Sequence, residues 1–109
     1  ISKNFEKKIS SRHKSLYKSF NTRSITWEDL EKKYRKIIKK IDLLKIDVEG
    51  LDYKILKTIN LKTVNPQLIM VEAPHFEKLE TKKIIKYLQC KNFKIIYNNS
   101  LNIIFKKIT

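Results

Sequence analysis

The sequence predicts an α/β fold, an α-β-α-β-α-β-β succession with parallel strands and a terminal antiparallel hairpin. Three observations predict it. Two short, nearly all-apolar runs, Ile41–Ile46 and Gln67–Val71, are followed by carboxylates, as strands buried in a parallel sheet would be. Segments with apolar residues at helical spacing alternate with them. Near the end, Asn98-Asn99-Ser100 joins two further apolar runs as a hairpin connection would. Alternating units of this kind build a parallel sheet covered by helices.

Residues 1–23 form a basic region, rich in lysine and serine. Its apolar positions, Phe5, Ile9, Leu16, Tyr17 and Phe20, follow no sustained period, so it reads as loop. Thr26 then caps a helix, with Glu28 and Asp29 at its positive end and Lys36, Lys39 and Lys40 at its negative end. Trp27, Leu30, Tyr34, Ile37 and Ile38 make its apolar face. The strand Ile41–Ile46 reads as buried on both faces, with Lys45 the exception. After Gly50, the residues Leu51, Ile55, Leu56 and Ile59 recur at helical spacing, and Asp52 occupies the first turn. Asn65-Pro66 breaks that helix before the second strand, which ends at Glu72. A third helix starts near Glu80 or Thr81, packs through Ile84, Ile85 and Leu88, and stops where Asn92 can take a left-handed conformation. Phe93–Tyr97 and Leu101–Phe105 complete the hairpin. Residues 24–109 therefore read as one α/β unit.

The 109 residues suffice for one domain at most, and a start at Ile1 without methionine is expected of the remainder of a longer protein. The single cysteine, Cys90, excludes an internal disulfide framework and any metal-type cysteine pair. It reads as a helix-packing residue. No signal peptide and no apolar run of about 20 residues is present, so no membrane span is expected and the cytoplasm is the default location. A net charge of +14 raises nucleic acid as a partner. Against it, lysine, isoleucine and asparagine are abundant while arginine is confined to Arg12, Arg23 and Arg35, the bias an A/T-rich genome imposes. Two aromatic residues in the basic segment, Tyr17 and Phe20, make a thin stacking platform. A non-enzymatic nucleic-acid-binding module is the second reading, and a degenerate fragment without function the third.

The chemistry concentrates in Ile41-Asp-Leu-Leu-Lys-Ile-Asp-Val-Glu-Gly50, which delivers Asp47 and Glu49 where a strand hands over to a helix. In open parallel sheets ligands bind outside the carboxyl ends of the strands, so these acids face a cleft. With an extended backbone, Glu49 points the same way as Asp47. Two close carboxylates repel, and either one has a raised pKa or a cation sits between them. Glu72 ends the neighbouring strand and reaches the same cleft, and His75, three residues on, is the nearby base that titrates near neutrality. Each has a plainer alternative: Asp47 as a helix cap, Glu49 as a solvated loop acid, Glu72 and His75 as solvent-facing. Gly50 lets the chain turn. His13 reads as surface, and Trp27 and Tyr87 as core or rim packing.

The run Lys45-Ile-Asp-Val-Glu-Gly50, followed some twenty residues later by a strand ending in Val71-Glu72, resembles the FkbM-type S-adenosylmethionine-dependent methyltransferases. Ser24-Ile-Thr-Trp-Glu-Asp-Leu30 is similar to the family's Thr-Leu-Asp segment, and Ser10-Ser11 to small polar residues upstream; together the likeness spans residues 10–106. It departs at Leu51, where the family commonly has a small residue, and at Asn92, where it usually has glycine.

The resemblance implies the C-terminal half of a Rossmann-like class I methyltransferase fold, from the helix before its fourth strand to its seventh strand. It further implies O-methylation of a hydroxylated small molecule such as a sugar or polyketide. Asp47 would lie beside both the methyl donor and the acceptor, orienting the acceptor or receiving its proton, with Glu49, Glu72 and His75 around it. The main S-adenosylmethionine anchors would lie in the other half. Gly50 is the only glycine, so a Gly-x-Gly loop cannot occur within these residues, and the isolated chain is expected neither to bind the cofactor competently nor to hide the edge of its first strand.

Overall fold

A computed structural model describes residues 17–72 and 78–109. Its elements are α1 (Trp27–Lys33), α2 (Arg35–Ile38), β1 (Leu43–Ile46), α3 (Asp52–Thr58), α4 (Leu61–Val64), β2 (Leu68–Glu72), α5 (Lys78–Cys90), β3 (Phe93–Asn98) and β4 (Asn102–Lys107). The alternation of helix and strand is the expected one, with the first two helices each broken into two pieces.

Thr26 starts α1 as its sequence suggests: extended backbone, and an Oγ1 that accepts from the Asp29 N–H at 3.1 Å. The expected continuous helix to Lys40 is interrupted at Tyr34, whose φ of −118° and ψ of 33° end α1. The break re-aims the apolar residues. Ile38 enters the core, whereas Tyr34 and Ile37 stay exposed, contrary to the single apolar face read from the sequence. Leu51 is likewise exposed, because it stands at the N-cap of α3 rather than on its packed face.

The four strands form one sheet in the order β1-β2-β4-β3. β1 and β2 are parallel, with Leu43 opposite Leu68 and Ile46 opposite Val71. The hairpin strand β4 inserts antiparallel between β2 and β3, so β3 runs in the same direction as β1 and β2. Asn99 shapes the turn: its Oδ1 accepts from the N–H groups of Leu101 and Asn102 at 2.8 and 2.6 Å. Asn92, at φ 66°, ends α5 in the expected left-handed conformation, and Asn65, at φ 52°, does the same for α4.

Burial alternates along β1, β2 and most of β4. One face carries Leu44, Ile46, Ile69, Val71, Ile103 and Phe105 into a core completed by Ile38, Leu56, Ile59, Val64, Ile84, Leu88 and Phe93. The opposite face leaves Leu43 and Lys45 exposed, which corrects the expectation of a strand buried on both sides. Topology explains this. Both crossovers, β1 to β2 and β2 to β3, advance across the sheet in the same direction, and crossovers of one hand advancing one way place their helices on one face. Among the described residues, the outer edge of β1 has no strand partner. No helix among them is long and apolar enough to cross a membrane.

Candidate functional site

Asp47 and Glu72 follow directly from the parallel register. Ile46 and Val71 are paired and both face the core, so the next residue on each strand, Asp47 and Glu72, turns to the opposite side at the carboxyl end of the sheet. Neighbouring parallel strands thus deliver two carboxylates to one rim. Glu49 joins them by a different route than the extended backbone expected of it. At φ 50° it is left-handed, and Gly50 follows at φ 93°. Together with the Leu51 N–H to Val48 carbonyl bond of 3.3 Å, these two residues form the tight turn that enters α3. A side chain with a Cβ in this conformation costs about 1–2 kcal/mol.

One carboxylate oxygen from each of Asp47, Glu49 and Glu72 lies within 4.8 Å of the others. Asp47 and Glu49 are exposed and Glu72 is half-buried. The Glu72 carboxyl is pushed up to about 7 from 4.5, chiefly because it shares a hydrogen bond with the Asp47 side chain, then through desolvation and through the negative charges of Asp47, Glu49 and Asp52. Two carboxyls this close compete for one proton, which is why Glu72 holds its own to higher pH than an isolated glutamate.

Asp52 acts on the same group, and sequence reading assigns it a favourable place in a helix first turn and a match to the acid that the family commonly has there. It is 5 % exposed. Its Oδ1 accepts from the Val48 N–H at 3.2 Å, fastening the turn between Asp47 and Glu49 to the start of α3, while Oδ2 is buried without a partner. Burial raises its pKa against the lowering effect of the Val48 bond, and Glu80 and Asp47 raise it further. The available signal was density: Asp47-Val-Glu-Gly-Leu-Asp52 places three acids in six residues.

His75 lies outside the described residues, as do His13 and the Ser10-Ser11 pair. Cys90, expected to pack in the helix, is exposed. Trp27 and Tyr87 sit half-buried against the core.

Positive charge gathers at the other end of the molecule. A groove of about 740 Å³ beside the start of β3 and the end of β4 is lined by Lys57, Lys62, Lys91 and Lys107. Lys57 and Lys91 lie over the rings of Tyr53 and Tyr87 at 4.6 and 5.6 Å, and Lys107 is hydrogen-bonded to Asn65. Lys57 also stands in the last turn of α3, where lysine complements the dipole, and Lys91 directly follows the end of α5.

Neither a curated protein nor a solved structure matches this chain. A family model does. The one described as Methyltransferase FkbM domain matches residues 2–95, a span that takes in the acid-bearing rim of β1 and β2, and the chain belongs to the FkbM methyltransferase family.

Proposed function

We propose that the chain forms the acceptor side of an S-adenosylmethionine-dependent methyltransferase that methylates a hydroxyl of a small molecule. The observation that supports this most is the meeting of Asp47, Glu49 and Glu72 at the carboxyl ends of adjacent parallel strands in a methyltransferase family member. When bound, the cofactor supplies an electrophilic methyl group on a sulfonium.

The described residues suit the acceptor better than the cofactor. The only glycine, Gly50, is spent on the turn into α3, and no glycine-rich cradle for the cofactor's backbone contacts stands at another strand end. Further strands on the free edge of β1 would bring that cradle, along with crossover helices for the uncovered face. Among the described residues, the free edge and the bare face, together with the absence of a second glycine from the sequence, support the C-terminal half of a Rossmann-like fold. Asp47 is the one residue of this half assigned to both donor and acceptor.

The acids' work is to hold and move a proton. An acceptor hydroxyl placed against Asp47 and Glu72 hydrogen-bonds to them, which fixes its lone pair along one line of approach. As the oxygen gains a methyl group it must lose a proton, and a carboxyl that titrates at about 7 is suited to take it near neutrality. Glu49 supports the charge that develops. From its sequence position alone, three residues after Glu72, His75 is a further candidate base.

The test is transfer of a labelled methyl group from S-adenosylmethionine by the full protein to a panel of sugars and polyketide alcohols. Asp47→Asn and Glu72→Gln are expected to lower kcat by about 10²–10⁴-fold, the usual range for a lost acid–base group. Unchanged rates in both variants would overturn the assignment.

A further inference from the structure

We infer that Asp47, Glu49 and Glu72 form a site for a hard divalent cation such as Mg²⁺, Mn²⁺ or Ca²⁺, with the buried Asp52 carboxyl fastened to the turn that carries two of them. The spacing fits. Metal–oxygen distances of about 2.0–2.6 Å place ligand oxygens roughly 3 Å apart when adjacent and about 4–5 Å apart when opposite, and the three carboxylates offer oxygens within 4.8 Å of one another. The donors are all carboxylate oxygens, which suits these cations and disfavours softer metals that select thiolate or imidazole. Asp47 and Glu49 are exposed, leaving room for the waters such ions keep.

Asp52 gives independent support. More than nine-tenths buried, it is tied through Oδ1 to the Val48 N–H, the peptide between two of the ligands, and its Oδ2 has neither donor nor solvent. Glu80 and Asp47 act on it electrostatically, and it acts in turn on Glu72. A buried carboxylate of this kind is costly unless a positive charge compensates it. The chain has 25 Lys and Arg against 11 Asp and Glu, yet the ion pair among the described residues is Glu28–Lys32, on the exposed side of α1. Among the described residues, no lysine or arginine forms an ion pair with these four acids. A cation held by three of them answers the fourth as well.

Cation binding is separable from methyl transfer, because it is read without a methyl donor. The experiment is titration of the full chain with MnCl₂, followed by calorimetry and by paramagnetic broadening of amide signals. One ion per chain is expected, with Gly50 and Glu72 broadened well before Lys107 at the far end. Asp47→Asn and Glu72→Gln should each weaken binding by at least about tenfold, and Asp52→Asn by about 10–100-fold, the range for groups that support metal ligands. Glu28→Gln should bind as the parent does. Because broadening needs no variant, a variant that fails to fold leaves the parent's pattern to decide. Absence of binding at millimolar Mn²⁺, broadening centred away from Gly50 and Glu72, or equal affinity in a folded Asp47→Asn/Glu72→Gln double variant would overturn the site.

Discussion

Asp47 and Glu72 occupy the next register position beyond the Ile46–Val71 pair, and a carboxylate oxygen of each lies within 4.8 Å of the other. Parallel pairing therefore holds two carboxyl groups close together at the sheet's carboxyl rim, where they compete for a proton. The fold sustains this proximity, and the acids' properties follow from it.

Stability should depend on pH through Glu72. Its folded-state pKa of about 7 exceeds the ordinary 4.5, so between those values the folded chain holds a proton that the unfolded chain releases. The contribution is complete below the unfolded value and is lost as pH rises through the folded one. In chelating buffer the urea midpoint is expected to fall between about pH 5 and about pH 8, and Glu72→Gln should flatten that fall. An equal slope in parent and variant would show that Glu72 does not carry it.

Asp52 should separate shape from charge. Asp52→Ala leaves the Val48 N–H without its acceptor and is expected to cost about 1–3 kcal/mol in chemical denaturation. Asp52→Asn keeps an oxygen for that N–H and removes the buried charge, so at neutral pH it should be at least as stable as the parent. Equal losses in the two variants would mean that volume, not the hydrogen bond, matters here.

Glu49 bears the strain of the turn. Glu49→Gly removes the Cβ from a residue at φ 50° and takes a charge from the cluster, and it is expected to raise stability by up to about 1 kcal/mol after glycine's entropy is counted. Methyl transfer should fall in the same variant. A stabilised variant with full activity would make Glu49 a turn residue only.

Phe105 anchors the inserted strand. Fully buried on β4 between β2 and β3, it is expected to cost about 3–5 kcal/mol when replaced by alanine. Thermal melts of Phe105→Ala beside Leu43→Ala, on the uncovered face of β1, check whether one face alone holds the core. The second change should be nearly silent.

Much of this was legible in the residues. The two apolar runs, the Thr26 cap, the stop at Asn92 and the hairpin turn all rest on short-range effects of backbone and side chain, and the structure has each of them. The exposure of Leu43 was not legible, because it depends on which face of the sheet the crossovers cover, and nothing in the apolar spacing marks the break at Tyr34. Asp47 and Glu72 could be placed on one rim from strand direction alone. Glu49's left-handed turn and the burial of Asp52 arise from how Val48–Asp52 closes on itself, which a periodicity argument does not see.

The most direct measurement is a carbon-13 NMR titration of the Glu72 side-chain carboxyl in chelating buffer. A midpoint near 7 in the parent that drops toward the ordinary glutamate range in Asp47→Asn is expected if the two carboxyls meet at the rim. A midpoint in the ordinary range in both proteins would contradict the shared site.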